Sequence, residues 1–335
     1  SSIDNTEYTQ PALFIIEYAL ALLLESWGIR AAMMIGHSIG EYSAACLSGV
    51  LSLEDALHVV VKRGELMQRA TRGKMLSVSV GEEQLVALLK EHPQVSLAAV
   101  NSSQLCTVSG SNEAIAGFEQ AVKQAGLMCR PIRTSHAFHS WMMDALLEDY
   151  AGVMSSVRLQ APQRPFISNV TGVRATAEQV TTPGYWVEHL RHTVRFSAGI
   201  ENVFTNNKEA VFIEVGPGRV LSTLVQLHTQ RGEGHRVVNV VKQAKESGGD
   251  QYHLLQGIGV LWLNGIPINW NSFYQGEQRR KVSLPGYSFE RTKYGIRKEK
   301  FNALATEKTD TRPELKPFSE WFYVPAWKRS FTGLN

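Results

Sequence analysis

Five residues, Gly36-His37-Ser38-Ile39-Gly40, constrain this chain more than any other stretch. An apolar run of strand length at 31–35 precedes them, and a helical stretch over 41–46 follows. A G-x-S-x-G string between a strand and a helix is the pattern of a nucleophile elbow, whose sharp turn lifts the serine hydroxyl clear of the sheet. The flanking glycines remove side chains that would collide there. Ser38 then sits at a helix N-terminus beside free backbone N–H groups, with that of Ile39 placed to receive an oxyanion. The competing reading is a structural strand-to-helix turn.

The surrounding pattern predicts an α/β fold. Ala12, Ile15, Ile16, Ala19 and Leu23 recur at helical spacing over 11–26. A second helix over 53–70 follows Ser52, a good N-cap, with Glu54 and Asp55 in its first turn. From residue 75 the rhythm changes to strand 75–80, helix 82–90, strands 95–100 and 106–109, helix 112–124 and strand 127–132. That β-α-β-β-α-β order is the split pattern of a ferredoxin-like unit. It predicts an inserted subdomain at 75–133 within a core made of 1–74 and 134–245. Further on come a helix over 141–157, strands at 166–170 and 210–215, a helix over 220–227, a strand at 236–241 and a helix over 252–263. Such alternation implies a mostly parallel sheet covered on both faces. Residues 246–335 are expected to be a helix and a Pro-bearing linker that packs on the core and leads to a next domain.

Composition narrows the class. With 44% apolar and 19% charged residues, the chain is expected to fold rather than remain disordered. The longest greasy stretch, 11–24, is interrupted by Glu17 and is shorter than the roughly 20 residues of a membrane span. Residues 276–335 hold 13 Lys and Arg against 7 Asp and Glu, but this basic tail is broken by prolines and carries no nucleic-acid reader motif. Neither a nucleic-acid nor a membrane partner is expected. Three cysteines without metal or redox spacing suggest a reducing compartment, hence a cytoplasmic protein. No metal-ligand motif or dinucleotide fingerprint is present, so no bound metal or cofactor is expected.

A nucleophilic serine needs a base. His136-Ala137-Phe138-His139-Ser140 lies where the chain leaves the inserted unit, and ligand sites favour such junctions. His136 and His139 are equal candidates on this ground, whereas His58, His92, His228 and His235 fall on apparent surfaces. Trp186, His189 and Arg195 read as packing or surface residues. On a helical wheel of 53–70, Arg63 stands in the apolar stripe of Ala56, Val60, Met67 and Ala70. A buried guanidinium needs an anionic partner, either a structural acid or a substrate carboxylate that it grips in two-pronged fashion.

Taken together, Thr9-Gln10-Pro11-Ala12-Leu13-Phe14, the GHSIGEY string at 36–42, Arg63-Gly64-Glu65-Leu66-Met67, the HAFHS string at 136–140, Tyr185-Trp186-Val187 and Glu214-Val215-Gly216-Pro217-Gly218 resemble the acyltransferase domains of modular polyketide synthases. These are related to bacterial malonyl-CoA:acyl carrier protein transacylases. The strings at 280–289 and 321–327 resemble the segments that follow such domains. The resemblance implies an α/β-hydrolase-like core bearing the ferredoxin-like insert, with the active site between them. It makes Ser38 the nucleophile and His139 the base, oriented by backbone carbonyls, and gives Arg63 the malonyl carboxylate. It also puts His37, Gln10 and Asn101 near the acyl group. The partners implied are malonyl-CoA, an acyl carrier protein with its phosphopantetheine thiol, and neighbouring ketosynthase and other domains of a megasynthase.

HAFH resembles the malonyl-selective form of its string, where methylmalonyl-selective relatives tend to carry YASH. A bulky Phe138 would fill the space of an α-methyl, worth about 1–3 kcal/mol or roughly 10- to 200-fold. Ile39, where methylmalonyl relatives often have Gln, points the same way. Family members begin with a strand and a Gly-Gln-Gly loop that supplies a second oxyanion N–H, and this sequence starts downstream of it. Two rival readings use the same residues: a serine esterase or thioesterase, and a catalytically silent docking module.

Overall fold

The elbow joins two elements in the computed structural model, which describes Ile3, residues 5–278, 280, 282–290 and 317. Strand β1 (Met34–Ile35) runs into the turn, and helix α2 (Gly40–Leu47) leaves it. Helix α1 (Thr6–Ser26) packs against α3 (Leu53–Arg69). The apolar periodicity of α1 begins at Ala12, so its polar first turn, with Thr6, Glu7 and Thr9, was invisible to the pattern. Ser52 caps α3 as expected, accepting from the Asp55 N–H at 3.0 Å. Its buried face consists of Ala56, Val59, Val60, Arg63, Gly64 and Met67. Gly64 permits the close approach of α1, because a Cβ there would lie 3.0 Å from the Thr6 carbonyl oxygen.

The next unit follows the expected order: β2 (Lys74–Val78), α4 (Glu82–Leu89), β3 (Val95–Ser102), β4 (Leu105–Gly110), α5 (Asn112–Gln124) and β5 (Cys129–Ile132). Its strands form an antiparallel sheet in the spatial order β3-β4-β2-β5. Leu85 of α4 and Ile115, Phe118 and Val122 of α5 share a buried cluster with Leu76, Val78 and Val108 of the sheet. This unit therefore has a core of its own.

Where one helix was expected over 141–157, the chain forms a 3-10 helix, Trp141–Leu146, followed by α6 (Leu147–Ser155). Strand β6 (Phe166–Ile167) then pairs in parallel with β1. Three helices that the pattern does not predict follow: α7 (Ala177–Val180), α8 (Pro183–Arg191) and α9 (Phe196–Asn206). Then come β7 (Ala210–Glu214), α10 (Val220–Gln226), β8 (His235–Asn239), α11 (Asp250–Leu263) and α12 (Trp270–Phe273). β7 and β8 are also parallel.

The parallel strands form two separate pairs among the described residues rather than one sheet. A cavity of about 1010 Å³ is lined by both β1 residues and by the whole of β7. The parallel direction within each pair is as expected, and among the described residues no ladder joins the two pairs.

Residues Ser1–Glu277 form one compact unit and Gln278–Asn335 a second. Ile258 and Leu261 of α11 are buried with Val238 and Val240, and the Phe273 ring lies 4.8 Å from Trp27. The first unit thus runs past residue 245, because an apolar face of α11 closes over β8. The string at 321–327 lies outside the described residues. Among the described residues no helix is long and apolar enough to cross a membrane.

Candidate active site

Ser38 holds a φ of 51°, a left-handed conformation that costs a non-glycine residue energy and persists only where its surroundings impose it. Gly36 makes the turn possible: a Cβ there would lie 2.1 Å from the Gly40 carbonyl carbon. The second glycine is different. A Cβ on Gly40 would meet only Glu17 Oε2, at 3.9 Å, so the expected collision exists at one flank of the serine and not at the other.

Of the two histidines that the residue pattern leaves open, His139 is the one that meets the serine, with Nε2 2.7 Å from Ser38 Oγ. Its other nitrogen, Nδ1, donates to the His192 carbonyl oxygen at 2.9 Å, which leaves the Nε2 lone pair facing the hydroxyl. Burial pushes this imidazole well below its ordinary pKa, and the charges of Arg63, His189 and His37 act in the same direction. The ring is therefore held neutral, as a proton acceptor must be. His136 is buried too, but its Nδ1 is paired with Ser135 Oγ at 2.8 Å.

Arg63 is 1% exposed. Its Nη1 donates to Gln10 Oε1, and its Nη2 stands 3.5 Å from Ser38 Oγ, at the limit of a hydrogen bond. The guanidinium carbon lies 5.3 Å from the centre of the Tyr42 ring. Arg63 Nε has no partner, and among the described residues no Asp or Glu pairs with the side chain. Of the two anions open to it, the structural acid is absent. A buried cation in that condition suits an anion brought from outside.

The remaining predicted residues gather around the same serine. Asn101 Nδ2 donates to Thr107 Oγ1 at 3.0 Å, which leaves Oδ1 to accept from His37 Nε2 at 2.8 Å. The Ile39 N–H is unengaged, while the next two amides, of Gly40 and Glu41, already turn back to His37 and Ser38 carbonyls. His37, Ser38, Ile39, Asn101, Phe138 and His139 all line the 1010 Å³ cavity. Arg63 and Gln10 do not line it; Arg63 approaches the serine through Nη2, and Gln10 holds its Nη1.

Four residues escaped the pattern. Asn169, just past β6, accepts from the Ser38 N–H at 2.7 Å and donates to the Gly36 carbonyl at 2.8 Å. Its own N–H donates to Glu41 Oε2 at 2.7 Å. Glu41 is fully buried and also accepts from the Tyr185 hydroxyl. His189 is not a surface residue: its Nε2 lies 3.3 Å from Glu41 Oε2. The signal for Asn169 was its place at the carboxyl end of a strand paired with the elbow strand, where α/β sheets carry their sites. His228 and His235, expected at the surface, are buried as well. His235 Nε2 meets the Asn207 carbonyl at 2.7 Å and its ring stacks on Phe204, contacts that no local periodicity reveals.

Residues 1–267 match the family model described as acyl transferase domain, and the chain belongs to that family. It is 36% identical over 311 residues to polyketide synthase GfsA of Streptomyces halstedii, an alignment covering 92% of this chain and 4% of that protein. It is 41% identical to the solved acyl transferase domain of ZmaA, with a TM-score of 0.78 over 85% of this chain and 65% of that one. The malonyl CoA-acyl carrier protein transacylase of Clostridium perfringens matches with a TM-score of 0.69 at 26% identity, over 78% of this chain and 82% of that one. The chain spans only a small part of the curated relatives it matches, 20% in the case of a polyketide synthase subunit of Mycobacterium tuberculosis.

Proposed function

We propose that this acyltransferase domain loads malonyl units onto a carrier protein within a larger synthase. In the first step His139 takes the Ser38 proton as the oxygen attacks the malonyl-CoA thioester carbonyl, and the Ile39 N–H receives the oxyanion. The C–S bond breaks, CoA leaves with the proton from His139, and malonyl remains esterified to Ser38. In the second step the phosphopantetheine thiol of an acyl carrier protein gives its proton to His139 and attacks that ester. The Ser38 oxygen recovers the proton as it departs. No metal or organic cofactor is needed.

The observation that carries this reading is the fully buried Arg63, with no acidic partner among the described residues and 3.5 Å from the attacking oxygen. A free carboxylate on the acyl group is what such a cation lacks. Gln10 holds one arm of the guanidinium until that carboxylate takes its place. His37, fixed by Asn101, and Phe138 bound the acyl pocket, with Phe138 favouring malonyl over methylmalonyl. The similarity to a malonyl CoA-acyl carrier protein transacylase supports the same substrate. The β3-β4-β2-β5 order supports the finer architecture, a ferredoxin-like insert at 75–133 on an α/β-hydrolase-like core. The family's second oxyanion donor, in a Gly-Gln-Gly loop, has no counterpart within residues 1–335.

Incubation with labelled malonyl-CoA is expected to leave one label per chain, and Ser38→Ala to abolish it. Labelling that persists in Ser38→Ala would overturn the proposal.

A further inference from the structure

Resting on the dyad assigned above, we infer that Glu41 is a positioning residue that sets Ser38 and His139 in register along two separate paths. The first path runs through Asn169. Glu41 Oε2 accepts the Asn169 N–H at 2.7 Å, and the Asn169 side chain then clamps the elbow at both ends, on the Ser38 N–H and the Gly36 carbonyl. The second path runs through α8. Tyr185 and His189 stand four residues apart on one face of that helix; the Tyr185 hydroxyl donates to Glu41, and His189 Nε2 packs 3.3 Å from Glu41 Oε2 without hydrogen-bond geometry. Helix α8 ends at Arg191, and the next residue, His192, presents the carbonyl that holds His139 Nδ1. A third tie joins the two paths: the Arg195 N–H donates to the Asn169 carbonyl at 2.7 Å.

The geometry of the dyad makes such a device necessary. Ser38 and His139 are the two non-glycine residues with positive φ, 51° and 55°, among those described. A backbone in that region relaxes unless something over-determines it. Glu41 follows the serine by three residues, is fully buried, and touches neither Ser38 Oγ nor the cavity. It acts on the reaction only through what it holds. The Tyr185 hydroxyl is also hydrogen-bonded to Ser168 Oγ at 2.7 Å, and Ser168 Oγ accepts from the Val170 and Thr171 amides, so the network fixes the loop that carries Asn169 as well.

The test is Glu41→Gln, which keeps the shape but removes the carboxylate charge, and either sets an amide NH2 against the Asn169 N–H or turns the Tyr185 hydroxyl from a donor to this side chain into an acceptor from it. The primary readout is the rate at which a fluorophosphonate labels Ser38, because that probe requires an aligned serine and base but no carboxylate recognition. Labelling is expected to slow by about 10²-fold, the scale of a misplacement near 1 Å. With malonyl-CoA, kcat is expected to fall by a similar factor while KM stays unchanged, a split that general loosening of the fold would not give. Tyr185→Phe, which cuts the α8 path and spares the Asn169 path, is expected to lie between the variant and the wild type, and it decides the matter if Glu41→Gln does not fold. A folded Glu41→Gln protein that labels within twofold of wild type would overturn the inference, as would a rise in KM without loss of kcat. Wild-type protein that reacts with the probe but not with malonyl-CoA would instead fault the substrate assignment, and the probe rates would still judge Glu41.

Discussion

Replacing Arg63 by Ala separates recognition of the acyl carboxylate from the chemistry at the serine. A bidentate guanidinium–carboxylate contact consists of two charge-assisted hydrogen bonds, each worth about 1.5–3 kcal/mol. Losing both is expected to lower kcat/KM for malonyl-CoA by about 10²–10⁴-fold. Acetyl-CoA has no carboxylate and should suffer only the loss of the 3.5 Å contact between Nη2 and Ser38 Oγ. The assay is the rate of acyl-enzyme formation from each thioester, followed by intact-protein mass spectrometry. A second readout comes from His139, whose pKa Arg63 pushes down after the larger effect of burial. Removing the cation should move the acid limb of the acetyl reaction to higher pH. Arg63→Lys should keep that limb in place and still lose malonyl preference, because an ammonium lacks the planar fork. Equal losses for malonyl and acetyl in Arg63→Ala would refute the reasoning.

Two further outcomes are expected. Phe138→Ser should open room for an α-methyl and shift the methylmalonyl-to-malonyl ratio of kcat/KM upward by roughly 10- to 200-fold, measured by competition between the two thioesters; an unchanged ratio would remove Phe138 from extender choice. Burial raises the Glu17 carboxyl from 4.5 to about 7, against the opposing effect of its bond from Ser43. The folded protein then binds more protons than the unfolded chain between those values. The Glu17 contribution to stability is fully present below pH 4.5 and is lost as pH rises to about 7, by up to about 3 kcal/mol. Glu17→Gln should flatten that slope in thermal melts taken from pH 5 to 8, and a slope identical to wild type would rule out Glu17 as its source.

Much of the fold was legible because it obeys local periodicity. The α3 stripe that carries Arg63 is buried as drawn, and the elements of the inserted unit appear in the expected order. Helices α7 to α9 were not legible: α7 and α8 are short, four and nine residues, and α8 opens on a proline that reads equally well as a turn. The split of the parallel strands was hidden for another reason. Each strand is fixed by its own sequence, but ladder partners are chosen in space, and the pattern that predicts strands at 31–35 and 210–215 is silent on what lies between them.

The elbow string, the histidine pair and the arginine on an apolar helix face marked the candidate residues, because residue types and short spacings carry that much directly, while the chemistry itself was named only through the resemblance to a known family. Tertiary structure set His139 rather than His136 against Ser38, left no Asp or Glu paired with Arg63 among the described residues, and brought Asn169 to a serine 131 residues away. It also supplied the carbonyl of His192 as the partner of His139 Nδ1. Every residue has a backbone carbonyl, so no sequence can mark the one that matters; only the course of the chain in three dimensions aims it at an imidazole.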